Sequence, residues 1–419
     1  MVRRIGVAGV ALGLFVAACQ IVAGIERVEK VGTGPGAADA DGAVDPNKDS
    51  GVPDPCAHRA PPGPPDVDDD PTGDVGSFYL AIREFNLDVA SAGDAGPPGY
   101  DLDGVCTCER KAGTAFDGKS SCNPRAGAAP VCDDPGGVDN ASAKLLAPFG
   151  SVVPIDDAAD VNKSISEGRR GILLQVNNYN GRANDKEITV GIILSAGIHD
   201  ASGCGNGGVQ QAPFPPGWCG RDKWTVDPTS VIGTAPNYVA TRLATGYVRD
   251  YNLVVETRAA ALLYFGSTTL EMGSPLATGR LVPLDVNLKP RDPGVPPTPA
   301  EKGLYRLDDG IFSGRIGARD LLAAVGTAKV PRSTGRLCNS PLFGTFKQGI
   351  CEALDISKTK SFDFDPGSTC DAISTAAIFR AELASVGDKR LEPESPNECS
   401  PGPDGPLDAG PGGVTYICP

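Results

Sequence analysis

The sequence predicts a mainly β protein: an antiparallel β-sandwich or jelly-roll-like domain, a small disulfide-linked helical part at the C-terminus, and a disordered N-terminal tether. Two observations predict the β class. At least seven short apolar runs follow one another between Ser77 and Ile316, most of them separated by Gly, Asn, Asp and Pro clusters. No helical period intervenes between them, which disfavours a doubly wound α/β fold and favours antiparallel pairing. A third observation is the count of thirteen cysteines in 419 residues, which predicts that disulfides help to hold the fold.

The folded part is expected to start near Ser77, within a β-sandwich domain over 75–330. Phe78, Leu80 and Ile82 alternate with polar or small residues, as a strand with one buried face would. The apolar phase then switches to Phe85, Leu87 and Val89, a one-residue slip that predicts a bulge near Arg83-Glu84. Residues 97–142 form a Cys-rich insertion with Cys106, Cys108, Cys122 and Cys132 among Gly, Pro and Asp. With little to bury, this segment is expected to rely on its disulfides.

Further strands are predicted at Ile172 to Val176, Ile188 to Leu194, Trp224 to Val226, Tyr247 to Val255, Ala261 to Phe265, Leu276 to Val286, Tyr305 to Leu307 and Ile311 to Ile316. Helices gather late. Leu321, Leu322 and Val325 predict a short one stopped at Gly326. Ala372, Ala376, Phe379, Leu383 and Val386 fall at spacings of four and three, one stripe of a second helix ended by Gly387. Residues 331–419 are therefore read as a helical, disulfide-stapled region.

Upstream, residues 19–74 are rich in Gly, Ala, Pro and Asp, include the acidic run Asp66 to Asp70, and show no sustained apolar period. They are expected to be a disordered tether. Ahead of them, Arg3 and Arg4 precede an apolar stretch from Ile5 to Val16. That stretch is short of the about 20 residues a membrane span needs. It runs into Leu14-Phe15-Val16-Ala17-Ala18-Cys19. This arrangement resembles the signal sequence and lipobox of bacterial lipoproteins. The resemblance implies removal of residues 1–18, lipidation of Cys19 (palmitate among the chains) and a mature protein anchored in a membrane. Gln20, where that family places aspartate for inner-membrane retention, implies the outer membrane. Together with Tyr100-Asp101-Leu102-Asp103-Gly104-Val105-Cys106-Thr107-Cys108 and Cys370-Asp371-Ala372-Ile373-Ser374, the layout also resembles uncharacterised lipoproteins of myxobacteria, a resemblance that brings no function with it.

Charge narrows the partners. The formal net charge is −14, and removing 1–18 takes away Arg3 and Arg4, giving −16. A chain this acidic lacks the basic patch that nucleic acid requires, and anionic lipid would repel it, so the lipid must supply the anchoring. The expected partners are the membrane through that anchor and a polysaccharide or envelope protein, with no nucleic acid, nucleotide or cofactor.

Cys19 set aside, twelve cysteines remain, and export makes disulfides their default state. No C-x-x-C pair occurs and the histidines are His58 and His199, so no zinc or other metal site is expected. Cys204 and Cys219 flank one loop, and Cys399 and Cys418 flank the tail. If both pairs close locally, Cys56 and the insertion make five while Cys338, Cys351 and Cys370 make three. Odd counts then require a bridge between the N-terminal and C-terminal sets.

The chemical motifs are weak. Gly203-Cys204-Gly205-Asn206-Gly207-Gly208 matches a dinucleotide-binding pattern in letters, but Pro213, Pro215 and Pro216 forbid the helix that should follow. Asp101-x-Asp103-Gly104 is similar to the start of a calcium loop, yet its glycine stands at position four and Ala112 at position twelve. A turn tied to Cys106 is the expected role, with a weak calcium site of another type as the alternative. His199-Asp200 near Ser195 lacks a G-x-S-x-G elbow. His58 falls in the tether and is expected to be inert. Asp308-Asp309 before Gly310 reads as a turn, since neighbours on a strand face opposite ways and cannot pair as acid and base.

The stretch Phe214 to Trp224 holds both tryptophans. Trp224 is expected to begin a strand and enter the core, whereas Trp218, in a proline-stiffened loop, offers a rigid aromatic contact. No catalytic residue is assigned. The function expected is a non-catalytic binding or structural module of the cell envelope. The alternatives are a glycan-binding module using the Trp218 loop, with Trp224 beside it, and a carbohydrate-active hydrolase.

Overall fold

Eight antiparallel strands close into a barrel. They are β1 (Phe78–Asn86), β2 (Gly171–Asn177), β3 (Asp185–Ser195), β8 (Leu243–Arg249), β9 (Asn252–Glu256), β11 (Thr268–Pro283), β12 (Tyr305–Gly317) and β13 (Ala372–Lys389), neighbours in that order. β13 pairs back onto β1, Tyr79 opposite Ala384 and Phe85 opposite Phe379, so the ring of eight strands is closed. The computed structural model describes residues 56–86, 97–108, 118–125, 128–149, 162–200, 216–257, 261–265, 268–328, 336–391, 399 and 416–418. Between these wall strands come β4 (Ile198–Asp200), β5 (Lys223–Val226), β6 (Val231–Ile232), β7 (Val239–Ala240) and β10 (Ala261–Phe265). β5 runs parallel to the end of β13, β10 pairs with β11, and β6 pairs with β7. The described helices of interest are α1 (Ala141–Phe149), α2 (Ala318–Gly326) and α3 (Leu342–Glu352).

The β class is as expected, but the architecture is an up-and-down barrel rather than a sandwich or jelly roll. Alternating short strands write the same pattern in either fold. What decides between them is the β1–β13 pairing, which joins the first and last of the described strands.

Alternation then sorts the side chains into two cores. Phe78, Leu80 and Ile82 of β1 join Leu174, Val190, Leu253, Leu307 and Phe379 in the main core inside the barrel. Tyr79 and Ala81 point the other way and join Leu173, Ile193, Trp224, Val226, Ala384 and Val386 in a second core outside the wall. The bulge expected in β1 is present: Ile82 faces Ala381 and Glu84 faces Arg380, leaving Arg83 as the extra residue. Arg83 turns outward, donates to Glu382 at 3.1 Å and lies over the Trp218 ring.

Several expectations are corrected. The stripe from Ala372 to Val386 is strand β13, not a helix. It is buried throughout from Ala372 to Ala377 and alternates from Ile378 to Leu383: Phe379, Ala381 and Leu383 enter the main core, while Ala384 and Val386 enter the second. Small helix-forming alanines occur here because both faces of this strand are covered. Residues 331–419 are therefore no separate helical region; β13 is a wall strand, and α2 and α3 pack into the main core through Leu322, Phe343, Phe346 and Ile350. Helix α2 matches the expected helix ending at Gly326.

Asp308-Asp309 is a bulge, not a turn. Leu307 faces Ala381 and Gly310 faces Phe379, so β12 carries one extra residue there. Asp309 adopts φ 53°, and Gly310 lies so close to Phe379 that a Cβ would sit 2.7 Å from the Phe379 carbonyl oxygen. The Asp-Asp-Gly sequence that marks turns therefore serves a kink inside a continuous strand.

The compact unit starts at Asp54, not near Ser77. Cys56 is fully buried, and Val75 joins the main core. The acidic run is not free: Asp68 accepts from Asn180 Nδ2 at 2.9 Å, and Asp69 accepts from the Asn184 N–H at 2.9 Å. The loop between β2 and β3 thus receives a segment whose composition reads as tether. The signal and lipobox residues, including Cys19, lie outside the described residues.

Five bridges are described: Cys56–Cys106, Cys108–Cys132, Cys122–Cys370, Cys338–Cys399 and Cys351–Cys418. Cys399 and Cys418 do not pair with each other, because the tail folds back onto α3, where Tyr416 packs edge-on against Phe343 at 5.8 Å. The expected long bridge exists as Cys122–Cys370, although the parity count that suggested it rested on that wrong local pair. Cys219 is disulfide-bonded, and Cys204 lies outside the described residues.

Candidate functional site

The tryptophan loop is built as a clamp. Asp222, 1 % exposed, accepts from the Gly217 N–H at 2.9 Å and the Cys219 N–H at 3.2 Å. This holds Trp218 at φ 49°. Trp224 is fully buried, in line with a core role. Trp218 packs on it with ring centres 5.8 Å apart, and the Arg83 guanidinium lies 5.4 Å from the Trp218 ring centre. What the loop offers a ligand is the remaining part of one half-buried ring.

The possible Ser195–His199 arrangement is not assembled. Ser195 Oγ is buried and bonds the Gly197 carbonyl, while exposed His199 meets Asp388 at 3.3 Å. The Asp200 side chain lies outside the described residues. Inside the barrel, an apolar cavity between Ile82, Leu174, Val190, Val255, Phe312 and Phe379 measures about 30 Å³. That is room for water-sized molecules and for nothing of a lipid's size.

The chemistry concentrates in the Cys-rich segment, which folds as a collar over the barrel wall. Tyr100 Oη pairs with Thr278 Oγ1 of β11 at 2.8 Å, and Ser142 Oγ donates to Thr375 Oγ1 of β13 at 2.8 Å. Asn140 Oδ1 accepts from the Ala376 N–H at 3.2 Å. Four carboxylates gather beneath this attachment, each held by a backbone N–H. Asp101 accepts from Gly104 at 2.6 Å, Asp103 from Val105 at 3.1 Å, Asp139 from Leu102 at 2.6 Å and Asp133 from Thr107 at 2.6 Å. Oxygens of Asp101, Asp103 and Asp139 lie within 4.8 Å of one another. The expected turn tied to Cys106 is therefore present, but residues 133 and 139 join it only through the fold.

Burial raises the Asp103 carboxyl to about 7, with Asp101 and Asp363 adding to the effect and Ser121 and Val105 opposing it. Burial likewise lifts Asp133 to about 8, against the Thr107 N–H. Asp139 is pushed well above the usual carboxylate range by burial, then by Asp103, Asp133 and Asp355. His58 is not inert tether: its Nδ1 pairs with Asp101 Oδ2 at 2.6 Å. His58 also stands with Cys56 and Cys106 in a group of metal-ligand atoms, but those sulfurs form a disulfide and are not thiolate ligands.

Asp355 supplies a pH prediction. Burial pushes its carboxyl from 3.8 up to about 6, against donors from the Ser374 hydroxyl and N–H. A carboxyl whose folded value is raised stabilises the fold when protonated, so its contribution is full below pH about 4 and lost as pH rises through about 6. Asp355→Asn should therefore gain roughly 3 kcal/mol on the wild type between pH 4 and pH 8. Urea unfolding at the two pH values checks this; an unchanged difference would remove Asp355 as the titrating group.

Fold and collar together define a class: a closed eight-stranded antiparallel barrel with a disulfide-bonded, acidic collar on its wall. Comparison with family models, curated proteins and solved structures finds no match.

Proposed function

We propose that the chain is a membrane-anchored protein of the cell envelope that acts as a non-catalytic binding or structural module. The observation that supports this best is the pairing of a lipobox-like Leu14-to-Cys19 sequence with a body cross-linked by at least five disulfides. Such a disulfide set suits an oxidising compartment, and the sequence ahead of it suits export and lipidation. Among the described residues no helix is long and apolar enough to cross a membrane; this reading attaches the protein through Cys19.

The expected partners are a polysaccharide or another envelope protein. Metabolic labelling with a palmitate analogue tests the anchor: the wild type should be labelled and sediment with outer-membrane fractions, and Cys19→Ala should lose the label. Equal labelling of both, or none of either, would end the lipoprotein reading.

A further inference from the structure

We propose that Asp101, Asp103 and Asp139 bind a calcium ion within the collar, with the Ser121 hydroxyl as a further ligand. Two independent observations lead there. The first is spacing. The carboxylate oxygens lie within 4.8 Å of one another, and two oxygens bound to one calcium at about 2.4 Å reach about 4.8 Å apart. The second is an orphan. Ser121, 2 % exposed, stands beside Asp103 closely enough to pull its carboxyl down, yet its Oγ meets no partner at hydrogen-bonding geometry. A buried hydroxyl without a partner is costly, and a cation among these oxygens would satisfy it.

The surroundings fit an oxygen-ligated cation. Backbone N–H groups take one oxygen of Asp103 and one of Asp139, which fixes both side chains and leaves each a second oxygen. Gly137, at φ 69°, passes so close that a Cβ there would lie 3.2 Å from Asp101 Oδ2. The charges acting most strongly on Asp139 are three more carboxylates. An all-oxygen, anionic donor set selects a hard cation. Magnesium keeps several of its waters, and Asp139 and Ser121 are both 2 % exposed, which favours calcium. An EF-hand loop takes all its ligands from within twelve residues. Here they come from 101–103, 121 and 139, joined by Cys56–Cys106 and Cys108–Cys132.

The test uses the full chain with its disulfides formed, stripped with EDTA and titrated calorimetrically with calcium chloride. One calcium per chain should bind, the thermal midpoint should rise and EDTA should reverse it, with magnesium at least about tenfold weaker. The double variant Asp103→Asn, Asp139→Asn should bind about 100-fold more weakly. Burial already pushes both carboxyls toward the neutral acid, which an amide mimics, so its midpoint without calcium should not fall below that of the stripped wild type. Should it fail to fold, Ser121→Ala deletes an oxygen with no hydrogen bond to lose, and about tenfold weaker binding is expected. The proposal is overturned by no binding up to about 10 mM calcium, above the dissociation constants of extracellular calcium modules. It is equally overturned by undiminished binding in the double variant, by equal affinity for magnesium, or by unchanged binding in Ser121→Ala.

Discussion

Replacing Cys122 and Cys370 together by alanine should destabilise the oxidised protein by roughly 5 kcal/mol. The bridge spans 248 residues, the longest separation among the described disulfides. In the chain-entropy account the cost of an open loop grows with the logarithm of its length, so this bridge restricts the unfolded chain most. It also ties the collar to the start of β13, where the Asn123 N–H donates to the Ser368 carbonyl at 2.9 Å and the Asn123 carbonyl accepts from the Cys370 N–H at 2.9 Å. Cys108–Cys132 spans 24 residues, and its removal should cost about 3.5 kcal/mol. Guanidinium unfolding of the two double variants measures the difference. Equal losses would show that loop entropy is not what distinguishes them.

Arg315→Leu is expected to cost 3–5 kcal/mol, on the order known for breaking a buried pair. Arg315 sits on β12 with its side chain 1 % exposed, against Asp363 at 5 %. Its Nη1 donates to Asp363 Oδ1 at 2.7 Å and to the Ser357 carbonyl at 2.9 Å. Its Nη2 donates to Asp363 Oδ2 at 2.6 Å and to the Leu102 carbonyl at 2.8 Å. One guanidinium thus joins the barrel wall, the collar and the segment before β13. Removing it leaves Asp363 buried with an uncompensated charge, and that orphan charge is the larger part of the cost. The pair Arg315→Leu, Asp363→Leu should therefore lose less than Arg315→Leu alone. A double variant at least as unstable as the single would place the cost in the lost carbonyl contacts instead.

Local features of the chain were legible where their cause is local. The phase switch between Ile82 and Phe85 announces the bulge at Arg83, because a strand's two-residue period makes any insertion visible. Helix α2 shows in Leu321, Leu322 and Val325, and Trp224 reads correctly as core. The misreadings share another cause. β13 resembles a helix because its alanines are good helix formers, and only burial on both faces explains why they occur in a strand. Asp66 to Asp70 resembles a tether because the amides of Asn180 and Asn184 that hold it lie more than a hundred residues away.

By itself the sequence determined that the protein is mainly β, that its cysteines favour disulfides, and that its net charge is strongly acidic. These follow from period, composition and charge, which a linear chain carries openly. The tertiary structure alone decided that the strands close into a barrel, which cysteines meet, and that Asp101, Asp103, Ser121 and Asp139 share one buried place. Each of those depends on pairings between distant segments, whose loop-closure cost is recovered only when the whole sheet and its two cores form together.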